Sequence, residues 1–387
     1  MMRNPLSKKI TGIEPSGIRK FFDLVSEMPD AISLGVGEPD FDTPWRIREE
    51  GIYTLEQGKT FYTSNAGLKD LKIEISKYLE RKIHVEYDPD HEIMVTVGGS
   101  EGIDVALRAM LDLGDEVLIP QPSYVSYVPC TILADGNPVV IPLQEKNEFK
   151  LTAEELEAAI TPKTKMLVMP FPNNPTGSIM TKEDLEPIAE VVKRHDLYVL
   201  SDEIYSELTY KTEHVSIASL PGMQERTLVI NGFSKGFAMT GWRLGYICGP
   251  SVIIEQMLKI HQFVIMCAPT TSQYAAIEAL RNGDEDVRRM RESYDERRRF
   301  LVNALNEMGL PCFEPKGAFY VFPNISAYGM TSEEFARRLL EQERVAVVPG
   351  TAFGECGEGF LRISYAYSID NLKKALDKIE KFIDTLN

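Results

Sequence analysis

The sequence predicts an α/β fold built on a mostly parallel sheet. Seven short apolar segments recur between residues 93 and 248, and segments with helical periodicity separate them. Short apolar runs of this kind are typical of strands that are buried on both faces. Because strands alternate with helices, we expect a seven-stranded sheet with helices on both faces. The predicted strands are 93–97, 116–119, 138–141, 165–169, 197–200, 227–230 and 244–248.

The helices between these strands are predicted from apolar spacing and from capping residues. After the first strand, a set of apolar residues falls on one helix face: Ile103, Ala106, Leu107, Met110 and Leu111. Further along, Thr181 and Asp184 have the spacing of a capping box. This pair predicts a helix that begins there and continues through Val192.

Length and a change of pattern predict a second domain. At 387 residues the chain exceeds the size at which a single core stops growing. From about residue 285 the pattern changes to long charged helices with short strands, such as 318–322. We therefore expect a large domain that ends near residue 285 and a smaller α+β lobe after it.

Composition excludes several classes of function. The 42 lysine and arginine residues against 58 aspartate and glutamate residues give a net charge of −16, which argues against nucleic acid or acidic lipid as a partner. The arginine-rich segment 288–299 is interrupted by acidic residues at helical spacing, as on a solvated helix face. Five cysteines stand far apart with no Cys-x-x-Cys motif, so we expect neither a disulfide framework nor a metal site.

The N-terminus offers no targeting signal. It carries charge but no apolar core of signal-peptide length, and no run of about 18 apolar residues occurs in the chain. We expect a cytoplasmic protein without a membrane-spanning segment.

The residues that follow the predicted strands are candidates for one site. In an open parallel sheet, the loops leaving the carboxyl ends of strands converge on a crevice. After the first strand, the segment 98–101 (Gly-Gly-Ser-Glu) opens a helix, where backbone amides and the helix dipole favour an anion such as phosphate. Alone, this segment is more often an ordinary strand-to-helix connection, and it gains weight only because an arginine later in the chain also requires a phosphate partner. The candidate residues here are Gly99 and Ser100.

A lysine and an arginine follow the sixth strand. Lys235 comes shortly after residues 227–230 and precedes Arg243 by eight positions. A lysine amine condenses with an aldehyde to form an imine, and the planar donors of an arginine hold a phosphate dianion. Pyridoxal 5'-phosphate offers both groups. The alternative is an exposed lysine on a glycine-rich loop.

The stretch from Gly232 to Gly245 follows a longer pattern. It reads glycine, aromatic, serine, lysine, two free positions, small, apolar, free, glycine, free, arginine, apolar, glycine. This order resembles the lysine-attachment pattern of class I and II aminotransferases, pyridoxal-phosphate enzymes of fold type I that include aspartate and aromatic aminotransferases. The resemblance implies a large cofactor-binding domain at 43–285. It also implies a small domain formed by 1–42 and 286–387.

The resemblance implies roles for the cofactor-binding residues. Asp202 would pair with the pyridine nitrogen, Tyr205 and Asn174 would donate to the phenolic oxygen, and Tyr124 would stack on the ring. A carboxylate at the ring nitrogen keeps it charged, so that the ring withdraws electrons from the substrate carbanion. Three alternatives remain: a turn cap for Asp202, an ordinary turn around Asn174 and a core position for Tyr124.

Other residues are implied to bind the phosphate and the substrate. Arg362 would hold the substrate α-carboxylate, to which Asn174 would also donate, and Gly37 would approach the substrate through its backbone. Tyr62 would reach the phosphate of a neighbouring subunit, which implies a homodimer. The chain departs from the family at Gly232, where many relatives have serine. We expect Ser234 to contact the phosphate instead.

The function implied is transfer of the α-amino group of an L-amino acid to a 2-oxo acid such as 2-oxoglutarate, by a ping-pong mechanism. No second cationic residue stands in a motif that would bind a distal carboxylate, so aromatic or broad-range substrates are favoured. The alternatives are aspartate or N-acetyl-diaminopimelate aminotransferase, and a carbon-sulfur β-lyase, which uses the same fold. A cofactor-sensing regulator would need a DNA-binding segment ahead of the first motif, where only about 33 residues stand.

Overall fold

A computed structural model describes residues 3–15, 17–18, 28 and 30–386. Its largest sheet has seven strands. In spatial order they are Ile93–Thr96 (β2), Gly245–Cys248 (β8), Thr227–Gly232 (β7), Tyr198–Asp202 (β6), Thr164–Met169 (β5), Glu116–Gln121 (β3) and Asn137–Pro142 (β4). All neighbours are parallel except β8, which runs antiparallel to β2 and to β7. The prediction of a mostly parallel sheet is confirmed. The strands are β1 Ile32–Ser33, β2 Ile93–Thr96, β3 Glu116–Gln121, β4 Asn137–Pro142, β5 Thr164–Met169, β6 Tyr198–Asp202, β7 Thr227–Gly232, β8 Gly245–Cys248, β9 Tyr320–Val321, β10 Val345–Ala346, β11 Val348–Pro349 and β12 Leu361–Ser364.

Helices connect and cover these strands. Thr181 accepts a hydrogen bond from the Asp184 amide and Asp184 accepts one from the Thr181 amide, so the predicted capping box is confirmed. None of the described helices is long and apolar enough to cross a bilayer. The α-helices are Lys8–Thr11, Trp45–Glu56, Lys69–Ile83, Gly99–Met110, Tyr127–Leu133, Ala153–Ala159, Lys182–Arg194, Ser251–Val264, Thr270–Asn282, Asp284–Glu307, Ser332–Glu343 and Ile369–Asp384.

The large sheet is buried on both faces. Leu228 and Ile230 of β7 pack in a cluster with Ile103, whereas the intervening Val229 packs in a cluster with Leu71 on the other side. Alternate residues of a strand point to opposite faces, so helices must cover both. The prediction of helices on both faces is confirmed.

A second, smaller set of strands and helices packs beside this sheet. Strands β11, β12 and β9 form an antiparallel sheet, and β1 pairs in parallel with β10. Helices Ser332–Glu343 and Ile369–Asp384 pack against each other, with the rings of Phe335 and Phe382 centred 5.1 Å apart. The pairing of β1 with β10 joins the N-terminal segment to this lobe.

The domain boundaries stay a prediction. The core of the smaller lobe also includes Tyr205, Leu208 and Ala238, so the two parts share buried side chains. Residues 1–2, 16, 19–27 and 29 of the predicted segment 1–42 lie outside the described residues.

Two strand ends differ from the prediction. The strand expected at 318–322 contains only Tyr320–Val321, because Ala318 has a φ of +56°, which an extended strand does not allow. Strand β6 continues through Asp202, where the sequence predicts an end at residue 200. Asp202 is therefore the last residue of a buried strand.

Candidate active site

A cavity of about 570 Å³ lies at the carboxyl ends of the parallel strands, between the large sheet and the smaller lobe. The N-terminal segment contributes Ile18 and Val36 to its wall. All the predicted site residues except Tyr62 line it. They are Gly37, Gly99, Ser100, Tyr124, Asn174, Asp202, Tyr205, Ser234, Lys235, Arg243 and Arg362.

Lys235 is half-buried within this cavity, in the turn that follows β7. Its Nζ donates a hydrogen bond to the carbonyl oxygen of Gly37. Burial lowers the pKa of the amine to about 8, and the positive charges of Arg362 and Arg243 act in the same direction, while the Glu38 carboxylate opposes them. At a pKa of about 8, about a tenth of the amine is neutral and nucleophilic at pH 7, far more than for an ordinary lysine.

Two glycines and an arginine form a cradle at a helix N-terminus. Gly98, with a φ of +76°, precedes the helix Gly99–Met110. A Cβ at Gly98 would lie only 2.6 Å from Arg243 Nη2, so this close approach requires glycine. Arg243 also donates to the carbonyl oxygen of Thr240 at 3.0 Å. The helix N-terminus and the guanidinium together suit an anion. Ser100 and Ser234 line the same cavity.

Asp202 carries a buried carboxylate that faces the cavity. Its Oδ2 accepts a hydrogen bond of 2.7 Å from the hydroxyl of Tyr127, and its Oδ1 accepts one of 3.2 Å from the amide of Ile204. Burial raises the pKa of Asp202, an effect that the Tyr127 hydrogen bond opposes. Such a carboxylate is stabilised by a cationic partner. The Ile204 contact is the turn cap considered as an alternative, and it leaves the carboxylate available to a second group.

Arg362 is buried in the wall formed by β12. Its Nη1 donates to Asn174 Oδ1 at 3.0 Å, and its Nη2 donates to the carbonyl oxygen of Gly35. The rings of Tyr320 and Phe353 are centred 4.6 and 4.8 Å from the guanidinium carbon. Within the described residues, Nε has no hydrogen-bond partner. Burial lowers the pKa of this guanidinium, so an incoming anion would stabilise its charge.

Sequence reasoning missed two tyrosines of the cavity. Tyr127 is the first residue of a short helix and Tyr124 precedes that helix, so helical spacing gave no signal for it. The hydroxyl groups of Tyr320 and Tyr205 form a hydrogen bond, with 2.7 Å between their oxygens. No local sequence signal relates Tyr320 to Tyr205, because 115 positions separate them.

Tyr62 lies on the outer surface instead of in this cavity. Its side chain and that of Phe61 are each 80% exposed. The Thr270 hydroxyl donates to the carbonyl oxygen of Phe61 at 2.7 Å, so this segment lies beside the start of helix Thr270–Asn282. Tyr62 is therefore not part of the site formed by its own chain.

The arrangement brings a lysine amine, an anion cradle and a buried arginine to one cavity, as in an enzyme active site. The model of the family described as aminotransferase class I and II matches residues 29–379. The chain belongs to this family, and it is a pyridoxal-phosphate-dependent aminotransferase.

Relatives with different specificities resemble the chain closely. An aspartate aminotransferase of Pyrococcus abyssi is 50% identical over 98% of both chains. The aromatic-amino-acid aminotransferase 2 of Thermococcus litoralis is 46% identical, again over 98% of both. A crystal structure of an aromatic aminotransferase from Pyrococcus horikoshii is 48% identical, with a TM-score of 0.91 over 94% of this chain and 99% of the other. Similarity establishes the reaction class but does not distinguish acidic from aromatic substrates.

Proposed function

We propose that Lys235 binds pyridoxal 5'-phosphate, and that the enzyme transfers the α-amino group of an L-amino acid with an aromatic or other bulky side chain to a 2-oxo acid such as 2-oxoglutarate. The observation that carries this proposal is the amine of Lys235, whose pKa is lowered to about 8 in a cavity shared with Asp202, Arg243 and Arg362. These groups match the aldehyde, ring nitrogen and phosphate of the cofactor and the carboxylate of the substrate.

The residues present fit the cofactor. The cradle at Gly98 and Gly99 has no room for a Cβ at Gly98 and presents helix amides beside Arg243, which suits the phosphate. Ser100 and Ser234 line the same region. The buried carboxylate of Asp202 would be stabilised by a protonated ring nitrogen.

The remaining cavity residues surround the ring. We assign Tyr205 and Asn174 to the phenolic oxygen because both line the cavity beside Lys235. Tyr124 lines it beside Ser100, with 3.4 Å between their hydroxyl oxygens, and we assign its ring to the face of the cofactor. When bound, the cofactor supplies an electron sink that stabilises negative charge at the substrate Cα.

Lys235 acts as the base in this proposal. With a pKa of about 8, its Nζ is available as a neutral amine to take the proton from the substrate Cα and to return it in the reverse direction. Arg362 fixes the orientation of the substrate, because its guanidinium lines the cavity and contacts with Asn174 and Gly35 hold it in place for the α-carboxylate.

The cavity wall supports the preference for apolar side chains. Among the described lining residues, the cations are Lys235, Arg243 and Arg362, and each is already assigned to another group. Ile18 and Val36 offer apolar contact on the same wall. Aspartate aminotransferase is the second candidate, because the Pyrococcus abyssi relative carries that name at 50% identity.

We also propose that the enzyme is a cytoplasmic homodimer in which Tyr62 reaches the phosphate site of the partner subunit. Tyr62 and Phe61 lie on one surface with the end of helix Ser251–Val264, where Phe263 is 85% and Val264 71% exposed. The two segments are joined by a hydrogen bond of 2.6 Å from Asn65 Nδ2 to the carbonyl oxygen of Met266. Apolar surface of this extent is typical of a protein–protein interface.

The test is a half-reaction screen. The reconstituted enzyme is mixed with phenylalanine, tyrosine, aspartate, alanine and N-acetyl-diaminopimelate in turn, and the visible absorbance of the bound cofactor is followed. We expect the fastest change with the aromatic amino acids and none with Lys235→Ala, which should stay folded. A fastest change with aspartate would contradict the substrate assignment. Release of ammonia and pyruvate from cystathionine without a 2-oxo acid would instead identify a β-lyase.

A further inference from the structure

Tyr320 stands where three parts of the candidate site meet. It belongs to β9, is fully buried and lines the cavity. Its hydroxyl contacts Tyr205, its ring faces Arg362, and a Cβ at Gly37 would lie 2.7 Å from its hydroxyl oxygen. We infer that Tyr320 is a positioning residue that directs the hydroxyl proton of Tyr205 toward the cofactor and holds Arg362 in place for the substrate carboxylate. This inference rests on the proposed function and deepens it.

The two hydroxyl groups determine where the proton of Tyr205 can go. The oxygens of Tyr205 and Tyr320 are 2.7 Å apart, and both side chains are at most 4% exposed. A hydroxyl has one proton to donate. If Tyr320 donates to Tyr205, the proton of Tyr205 remains free for an acceptor in the cavity. Within the described residues neither hydroxyl has a second partner, so the phenolic oxygen that we assign to Tyr205 is the acceptor that selects this orientation.

Packing holds the hydroxyl and the ring of Tyr320 in place. A Cβ built on Gly37 would lie 2.7 Å from the hydroxyl oxygen, so this glycine packs closely against it. The rings of Tyr205 and Tyr320 meet edge to face with centroids 5.8 Å apart, and Phe319 packs against Tyr320 with centroids 4.8 Å apart. The rings are thus fixed by packing. A hydroxyl that donates to Tyr205 also makes the Tyr205 proton a better donor, since hydrogen bonds in a chain polarise one another.

The ring of Tyr320 holds Arg362 in place. The guanidinium carbon of Arg362 lies 4.6 Å from its centroid, in the range of a cation–π contact. Asn174 and Gly35 bond the two terminal nitrogens, so the ring completes the set of contacts that fix the plane of the group. Arg362, which lines the cavity, is then held in one orientation before a carboxylate arrives, which reduces the entropic cost of binding it.

Two variants of Tyr320 distinguish the role of its hydroxyl from the role of its ring. Tyr320→Phe removes the hydroxyl and keeps the ring, whereas Tyr320→Leu removes both. The matched control is Tyr365→Phe, because Tyr365 is buried in the same lobe outside the cavity and its hydroxyl donates to the carbonyl oxygen of Ala318 at 3.0 Å. All three proteins are reconstituted with pyridoxal 5'-phosphate and compared with the wild type by thermal unfolding before any other measurement.

The readout for the hydroxyl is the pH titration of the bound cofactor's absorbance without substrate. A donor at the phenolic oxygen stabilises the anionic form, so a weakened Tyr205 should raise the midpoint. We expect Tyr320→Phe to raise it by about 0.3 to 1 unit. Tyr365→Phe should leave the midpoint unchanged. A midpoint in Tyr320→Phe equal to that of the wild type would overturn the hydroxyl role.

The role of the ring is tested by measuring KM and kcat separately for the two Tyr320 variants. Loss of a buried cation–π contact should raise the KM of Tyr320→Leu by about tenfold. Tyr320→Phe should keep a KM within about twofold of the wild type. Equal KM values in the two variants would overturn the ring role. If the wild type bound no pyridoxal 5'-phosphate, the proposed function itself would be wrong. That result differs from a failure of the Tyr320 inference, in which the wild type binds the cofactor and the variants do not differ from it as expected.

Discussion

The hydroxyl of Tyr127 donates a hydrogen bond of 2.7 Å to the carboxylate of Asp202, in a region where both side chains are at most 7% exposed. Burial alone would favour the protonated form of Asp202, and the hydroxyl partly offsets this effect. Tyr127 therefore helps to keep a negative charge where the proposed cofactor nitrogen requires one.

Tyr127→Phe should impair the enzyme without unfolding it. Loss of the donor raises the pKa of Asp202 further, so the carboxylate becomes a weaker partner for a cation. A hydrogen bond to a charged group contributes about 1.5 kcal/mol, which corresponds to a fall of about tenfold in kcat. Tyr87→Phe is the control, since the buried hydroxyl of Tyr87 has no partner in the described part of the chain. Equal kcat values in the two variants would contradict a role for Tyr127.

Gly98→Ala should weaken cofactor binding through the cradle. Gly98 and Gly58 have φ values of +76° and +67°, so alanine strains the backbone at either position. At Gly58 no atom lies within 4 Å of the added Cβ, whereas at Gly98 the Cβ would displace Arg243. Titration with pyridoxal 5'-phosphate should show a raised Kd for Gly98→Ala alone. If Gly58→Ala raised the Kd equally, the cause would be backbone strain and not the arginine.

The capture of the cofactor should depend on pH through Lys235. The neutral amine is the nucleophile, and its pKa is lowered to about 8. The rate constant of reconstitution should level off above about pH 8 and fall by about tenfold per unit below it, whereas an ordinary lysine would lose rate from about pH 10. Because the charge of Arg362 also lowers this pKa, Arg362→Gln should move the midpoint upward. A midpoint that stays near pH 10 in the wild type would refute the assignment.

Arg362→Lys should raise KM more than it lowers kcat. Lysine keeps the charge but loses the planar donors that contact Asn174, Gly35 and the substrate. We expect kcat/KM to fall by about 30-fold, equivalent to about 2 kcal/mol. Arg226→Lys serves as the control, because Arg226 pairs with Asp196 at 3.0 Å outside the cavity. Steady-state kinetics with a fixed 2-oxo acid measure the effect, and an unchanged KM would exclude Arg362 from carboxylate binding.

Phe263→Asp should convert the proposed dimer into monomers and lower the affinity for the cofactor. Phe263 is 85% exposed beside the segment that carries Tyr62. Leu113→Asp is a matched control, because Leu113 is 87% exposed in the turn after helix Gly99–Met110. Sedimentation velocity should give a smaller particle for Phe263→Asp only. A wild type that sediments as a monomer would rule out the dimer and the role of Tyr62 within it.

The sequence predicted the sheet from local patterns, and it predicted half of the residues that line the cavity, many of them through the family resemblance. Buried strands produce apolar runs, and the loops that follow them converge, which brings Asp202 and Lys235 together. Tyr320 escaped prediction because its contacts with Tyr205 and Arg362 arise from tertiary packing. The early end of the strand at Ala318 depends on a left-handed residue that propensity does not reveal. Roles toward the cofactor and the domain boundaries stay predictions.

The segment that contains β1 links the smaller lobe to Lys235. The Leu34 amide donates a hydrogen bond to the carbonyl oxygen of Ala346, and its carbonyl oxygen accepts one from the Ser364 amide, so this backbone is attached to the sheet that carries Arg362. Three residues further on, the Gly37 carbonyl accepts a hydrogen bond from Lys235. Any displacement of that sheet would therefore also displace the carbonyl oxygen that anchors the reactive nitrogen of Lys235.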